Sequence, residues 1–184
     1  MKVLILNGSP RSNGDTKYII DLVKDRFPSD TEFTEINAYQ DNIKPCNGCR
    51  YCWKNVGCAI KDDMNIVLKD DYDVVIIASP IYMSYVTPPL FSIFTRFNFI
   101  WCNKNFLNIK KDVKNKKGIL ILVGGGNGDP DDAISICKKA FKYLGADFDI
   151  EKDYIYSLKT DTIPVNDDKK LVKLIDRTIE HRIK

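Results

Sequence analysis

The chain has 184 residues, with 28 Lys and Arg against 25 Asp and Glu, a single His and six Cys. That length suits one domain able to fold without disulfides or a structural metal, and a hydrophobic content of 44% excludes a mostly disordered chain. A net charge of +3 is small for a nucleic-acid binder, and no apolar run reaches the ~20 residues that span a bilayer.

The elements follow in chain order. Val3 to Leu6 is a short continuous apolar run closed by Asn7-Gly8, as in a parallel strand buried on both faces. It is too short for a signal-peptide core and has no A-x-A-like site after it, so a cytoplasmic protein with reduced thiols is expected. Thr16 to Phe27 carries Ile19, Ile20, Val23 and Phe27 near helical spacing, and Pro28 stops it. Thr31 to Ala38 alternates and predicts an edge-like strand. A cysteine-rich loop follows, then a short helix near Met64 to Leu68. Asp73 to Ser79 is the clearest buried strand. Pro88 to Trp101 is aromatic-rich and reads as one helix with its proline pair in the first turn. Gly118 to Val123 is a further buried strand, ended by Gly124-Gly125-Gly126. Asp131 to Leu144 predicts a helix capped by Gly145, Phe148 to Leu158 holds a last strand, and Asp167 to Arg182 a terminal helix.

Strands that alternate with helices in this way build right-handed βαβ units and an α/β fold. The expectation is a three-layer α/β/α sandwich on a five-stranded parallel sheet in the flavodoxin-like order 2-1-3-4-5. Ligands in such sheets bind beyond the carboxyl ends of the strands. Three loops there are unusual: Asn7 to Thr16, Ser79 to Pro89 and Gly124 to Asp129. In the first, glycines and hydroxyls between a strand and a helix let N–H groups converge on an anion, and Arg11 adds positive charge. The run is neither a Gly-Lys-Ser/Thr nucleotide loop nor G-x-G-x-x-G, which argues against an NTPase and the usual dinucleotide fingerprint.

Gly8-Ser9-Pro10-Arg11 followed by Asn13-Gly14-Asp15-Thr16 resembles the phosphate loop of the NAD(P)H-dependent FMN reductases, a branch of the flavodoxin-like flavoproteins. Ser79-Pro80-Ile81-Tyr82 is similar to that family's second flavin loop, and Gly124-Gly125-Gly126-Asn127 stands where a third would meet the ring. The resemblance implies FMN, with Ser9, Arg11, Ser12, Asn13, Gly14, Asp15 and Thr16 around its phosphate. Pro80, Ile81, Tyr82, Met83, Gly124, Gly125, Gly126 and Asn127 would lie along the isoalloxazine. The family often has Asn at Asp15, and Lys and Asp-Arg where this chain has Phe91 and Thr95-Arg96. On this reading residues 1–184 form a single FMN-binding domain with a cysteine-rich loop at 44–63. No catalytic side chain is expected, because hydride and electron transfer belong to the flavin. The lone histidine, His181, lies among charges of the terminal helix and reads as a surface residue.

Cys46-x2-Cys49-x2-Cys52-x5-Cys58 is the most specific pattern in the chain. Four thiolates at this spacing can wrap a tetrahedral metal or an iron–sulfur cluster. With Asp62-Asp63-Met64 after it, the pattern also resembles the compact motif of the iron–sulfur flavoproteins, which implies a [4Fe–4S] cluster exchanging electrons with FMN. Zinc and metal-free thiols remain open beside the cluster. Arg50 and Lys54 are the candidate counter-charges. Cys102 and Cys137 read as isolated structural thiols.

The aromatic segment, with Phe91, Phe94, Phe97, Phe99, Ile100 and Trp101, surrounds its helix instead of marking one face, as in a fully buried helix or one shared with another subunit, and a homodimer or higher homo-oligomer is expected. The stretch Lys110 to Lys117 reads as a solvated loop and not as a nucleic-acid patch. The expected function is an FMN-dependent oxidoreductase. It takes electrons from NAD(P)H or a small carrier and passes them to a flavin, a quinone or a redox-protein acceptor. The alternative is a flavodoxin-like electron-transfer protein with no nicotinamide substrate.

Overall fold

A computed structural model describes residues 1–69, 71–109 and 115–183. Its strands are β1 (Lys2–Asn7), β2 (Glu32–Asn37), β3 (Val74–Pro80), β4 (Lys116–Gly124), β5 (Ala146–Asp147) and β6 (Tyr154–Leu158). They form one sheet in which every named pair is parallel, in the order β2-β1-β3-β4, with both β5 and β6 on the outer edge of β4. β5 pairs with Lys116 and Lys117, and β6 with Leu120 to Gly124, so the two share the fifth position of the expected 2-1-3-4-5 order.

The apolar runs explain this arrangement. Val3, Leu4, Ile5 and Leu6 are fully buried, as are Val75, Ile76, Ile77 and Ala78, and Ile119 to Leu122. Side chains alternate between the sheet faces. Leu4, Leu6, Val75, Ile77, Leu120 and Leu122 pack under α3 (Pro88–Thr95) and α5 (Asp131–Leu144). Val3, Ile5, Val74, Ile76, Ile119 and Ile121 pack under α1 (Asp15–Lys24) and α6 (Leu171–Ile183). Each such side chain contributes about 1.5–3 kcal/mol by burial. The short α2 (Met64–Val67) and the cap of α5, with Gly145 at φ 70°, fall where the sequence puts them.

Four expectations need correction. The last strand, β6, lies inside the expected Phe148–Leu158, but a further two-residue strand, β5, stands before that span. Asp149 N–H donates to Asp153 Oδ2 (2.6 Å) and Asp153 N–H to Asp149 O (2.8 Å), a turn that lifts the chain out of the ladder between β5 and β6. Arg182 pairs with the buried Asp153 and pins this turn. The aromatic segment is two helices, α3 and α4 (Asn98–Phe106). At the junction Arg96 and Phe97, each 1% exposed, take bonds to the third residue back (3.0 Å each), which tightens and breaks the helix. The start of the expected terminal helix is instead a 3-10 turn, Val165–Asp167. Finally, Lys116 and Lys117 lie in β4 and not in a solvated loop: Lys116 is buried and its Nζ donates to Leu144 O (3.1 Å), while Lys117 Nζ donates to Arg182 O. Lys110 to Lys114 lie outside the described residues. His181 is exposed, as expected.

Candidate functional site

The three loops named from the sequence leave the carboxyl ends of adjacent strands, β1, β3 and β4. In register Asn7 faces Ala78, and Pro80 faces Val123. At about 4.8 Å between strands, the three loop origins span about 10 Å of one sheet edge.

The first loop is fixed from below. Gly8 N–H donates to Ala78 O (2.7 Å), and the Thr87 hydroxyl donates to Gly8 O (2.8 Å). A Cβ on Gly8 would stand 2.9 Å from Leu90 Cδ2 and from Thr87 Oγ1, and 3.0 Å from Ser79 Oγ. Glycine is therefore required by close approach, not by its dihedrals. Asn7 accepts from Ser9 N–H (2.8 Å) and donates to Glu35 (2.9 Å), while Asn37 donates to Ser9 O (3.2 Å). Burial alone would push the Glu35 carboxyl up, but Lys24 and Asn7 outweigh it and hold Glu35 below its ordinary value.

Above this floor the chain turns into α1. Ser9 and Thr16 are buried, whereas Arg11, Ser12 and Asn13 are exposed. Gly14 caps α1 with no side-chain bond, and the Arg11 stem folds against it. None of the N–H groups from Ser12 to Lys17 meets an acceptor among the described residues. Unpaired N–H groups and the positive end of the helix dipole make an anion cradle there. Asp15 sits in the first turn, half-buried, on that same dipole.

The second loop is a tight hairpin. Ile81 N–H donates to Val123 O (2.7 Å), and Tyr82 and Tyr85 exchange backbone bonds of 2.9 and 3.0 Å. Between them Met83 (φ 50°) and Ser84 (φ 64°) are both left-handed, which costs about 1–3 kcal/mol each for non-glycine residues. Met83 is fully exposed at the tip, with Tyr82 45% exposed beside it. Ser84 O accepts from Ala133 N–H (3.0 Å) and docks the turn on α5.

The glycine loop is partly occupied. The carbonyls of Gly124, Gly125 and Gly126 accept from Thr160, Asp161 and Lys159 N–H, each at 3.1 Å. A Cβ on Gly125 would sit 2.5 Å from Asp161 Oδ2, whereas Gly126 faces open space. Gly124 and Gly125 are thus clasped by the chain after β6, and Gly126 and Asn127 remain exposed.

The cysteine loop forms its own site. Cys46, Cys49, Cys52 and Cys58 line one cavity of about 240 Å³, together with Arg50, Trp53, Arg96 and Phe99. No group of three or more His, Cys, Asp or Glu among the described residues is gathered closely enough to hold a single metal ion. The donor set and the shared cavity fit a larger thiolate-ligated group. Cys46 N–H donates to Thr95 Oγ1 (3.0 Å). Asn103, buried in α4, accepts from Gly57 N–H (2.7 Å) and donates to Cys52 O (2.8 Å) and Asn55 O (3.0 Å). Burial, then the neighbouring Cys102, then Cys46 push the Cys52 thiol up to about 11. Cys102 is therefore not isolated.

The model of the family described as NADPH-dependent FMN reductase matches residues 1–147. The chain belongs to this family. A curated relative, the iron-sulfur flavoprotein of Methanosarcina thermophila, is 32% identical over 142 residues, covering 73% of this chain and 69% of its own. Among solved structures, RosB with bound 8-demethyl-8-formylriboflavin-5′-phosphate has a TM-score of 0.69 at 20% identity, covering 98% of this chain and 78% of its own. An FMN-dependent NADH-azoreductase of Bacillus anthracis in complex with FMN has a TM-score of 0.64 at 15% identity, with 98% of both chains covered. These two likenesses support the flavodoxin-like fold.

Several residues of this candidate site escape a sequence reading. Thr87 holds the first loop from the start of α3. Tyr39, after β2, sits near Tyr82; burial, and then Tyr82, raise its phenol. Lys159 to Asp161 clasp the glycines. Arg96 and Asn103 hold the cysteine loop, whereas Arg50 lies over the Trp53 ring, 4.9 Å from its centroid, and Lys54 is exposed. An arginine and an asparagine inside an aromatic-rich helical run were the available signal.

Proposed function

We propose that this family member binds FMN across the carboxyl ends of β1, β3 and β4 and oxidises NADH, NADPH or a small reduced carrier. Electrons pass to a flavin, a quinone or a redox protein by way of a [4Fe–4S] cluster in the cysteine loop. The observation that carries the reading is the run of unpartnered N–H groups from Ser12 to Lys17, flanked by Ser9, Arg11 and Thr16. That chemistry fits a phosphate monoester. Asn13, Gly14 and Asp15 complete the turn around it. Pro80, Ile81, Tyr82 and Met83 would face the ring from one side, and Gly124 to Asn127 from the other.

FMN, when bound, supplies the centre that accepts a hydride and releases electrons. The chain's part is positional. Thr87, Asn7 and Asn37 hold the phosphate loop rigid, and the Tyr82–Tyr85 hairpin presents its tip at a fixed height. Cys46, Cys49, Cys52 and Cys58 would hold the cluster, a reading supported by their shared cavity and by the name of the Methanosarcina relative. Exposed Phe91, Trp101 and Phe106 on α3 and α4 support a homodimer or higher homo-oligomer. No helix among the described residues is long and apolar enough to cross a membrane, which is consistent with a cytoplasmic location.

The test is anaerobic purification, a visible spectrum, and stopped-flow mixing with NADH and with NADPH. Flavin absorbance that bleaches with a nicotinamide is the expected result, with iron and acid-labile sulfide in the same preparation. A colourless protein that does not take up added FMN would refute the proposal. Bound flavin that neither nucleotide bleaches would favour the carrier function.

A further inference from the structure

The wall of the cysteine cavity contains one fully buried cation. Arg96, 1% exposed, lines that cavity beside all four clustered cysteines. Its Nη1 donates to Asp62 Oδ2 (2.5 Å) and Lys44 O (2.9 Å), and its Nη2 to Ile60 O (3.2 Å). Its Nε is buried and has no partner. The Cys58 thiol lines the same cavity wall. Lys44 precedes Cys46 by two residues and Ile60 follows Cys58 by two, so one side chain ties both ends of the loop together.

A lysine could not do this. Arginine offers five N–H donors in a rigid fork, enough to meet two carbonyls and a carboxylate and still keep the Nε–H free. The free one is informative, because a buried donor is rarely left empty. Four thiolates outweigh the charge of a zinc ion or of an oxidised cubane core, so a loaded site is anionic and offers sulfur acceptors. Asp62 is ion-paired with Arg96, and the guanidinium is the member of the pair that faces the cavity. Asp62 is absent from the cavity wall and spends its oxygens on Lys44 and Met64 N–H as well as on Arg96.

We propose that Arg96 is the positioning residue of the cysteine site: it closes the loop from Lys44 to Ile60 before any group is loaded, and it supplies the positive charge that offsets the loaded, anionic group from the Cys58 side. The proposal rests on the cluster reading above and extends it to a residue outside the cysteine motif. A cation fixed beside a redox group favours its reduced form, so Arg96 raises the midpoint potential of the cluster.

The test compares wild type, Arg96→Lys, and Arg96→Met combined with Asp62→Asn so that no unpaired carboxylate is buried. Two readouts are used: amide hydrogen exchange over residues 44–62 in iron-free protein, and the midpoint potential from an EPR-monitored redox titration of iron-loaded protein. In both variants the loop amides should exchange about tenfold faster or more, the scale of one lost charge-assisted hydrogen bond. The potential should stay near wild type in Arg96→Lys and move negative in the double variant. Unchanged exchange in both variants would overturn the clasp, and an unchanged potential in the iron-loaded double variant would overturn the charge role. A wild-type protein that holds no iron or sulfide after reconstitution would overturn the cluster reading and the charge role with it. The exchange measurement on the same protein would then decide the clasp by itself.

Discussion

Replacing Thr87 by Val tests whether the phosphate loop is preorganised from beneath. Thr87 is fully buried at the start of α3, and its hydroxyl makes the 2.8 Å bond to Gly8 O. Valine keeps the shape and removes the donor, so the Gly8 carbonyl is left buried and unpaired. The cost is about 1–3 kcal/mol. That energy divides between two observables. If the loop stays in place without flavin, the whole cost lowers apoprotein stability, and at roughly 2–4 °C per kcal/mol for a chain of this size Tm falls by roughly 2–12 °C. If the loop instead relaxes and must be reordered around FMN, the cost appears as weaker binding, about 5- to 150-fold in Kd. The assay is a pair of measurements on one preparation: apoprotein Tm by circular dichroism, and FMN Kd by quenching of flavin fluorescence. Their sum should recover at least 1 kcal/mol. A Tm within 1 °C of wild type together with a Kd within twofold would refute the argument that Thr87 supports the loop.

Asn103→Ala removes three bonds to the cysteine loop at once. It should make residues 50–58 sensitive to limited proteolysis in iron-free protein while the urea midpoint of the sheet changes little; unchanged cleavage would contradict this role. Arg182→Met leaves Asp153 buried with no counter-charge and should cost about 3–5 kcal/mol in urea unfolding, whereas a loss below about 1 kcal/mol would show that the turn between β5 and β6 does not depend on the pair. Glu35 has a lowered folded-state pKa, so its stabilising contribution is complete above the unfolded carboxylate range and disappears as pH falls through the folded value. Wild type and Glu35→Gln should therefore differ in urea midpoint near neutral pH and converge in acid; a gap that persists at the lowest pH would show that Glu35 acts through packing.

The central sheet was legible because β1, β3 and β4 are buried on both faces, and that burial leaves an unbroken apolar run in the sequence. The divided fifth strand was not, since its break depends on Arg182, which comes some thirty residues after the turn it pins. The break between α3 and α4 was hidden for a similar reason. Aromatic residues around the whole circumference suggested a buried or shared helix, but Phe94 and Phe97 are core while Phe91 and Trp101 are exposed, and the helix is interrupted at Arg96 and Phe97. Cysteine spacing identified the loop at 44–63 as a unit. What holds that loop is supplied by Thr95, Arg96 and Asn103, far along the chain, and local spacing carries no trace of such partners. Cys102 looked isolated in sequence because its neighbour Cys52 is fifty residues away.

These long-range partners share one feature. Thr87, at the head of α3, holds Gly8 beneath the phosphate loop; Thr95, its last residue, holds Cys46; and Arg96, directly after it, joins both ends of the cysteine loop. The floor of the candidate flavin site and the anchor of the cysteine loop therefore stand at opposite ends of one eight-residue helix. At 1.5 Å per residue that separates them by about 12 Å along the helix axis. Leu90, Ile93 and Phe94 bury the inner face of α3 in the core, so this spacing is set by packing and not by a mobile connection. A substitution that shifts α3 along its axis would move both sites together. A glycine inserted between Phe97 and Asn98 leaves Thr87, Thr95 and Arg96 in place and displaces Asn103 from Cys52, Asn55 and Gly57, so FMN affinity should stay within about twofold, since the Gly8–Thr87 bond is untouched, while iron retention falls. Loss of both together would show that the two sites are coupled by something other than α3.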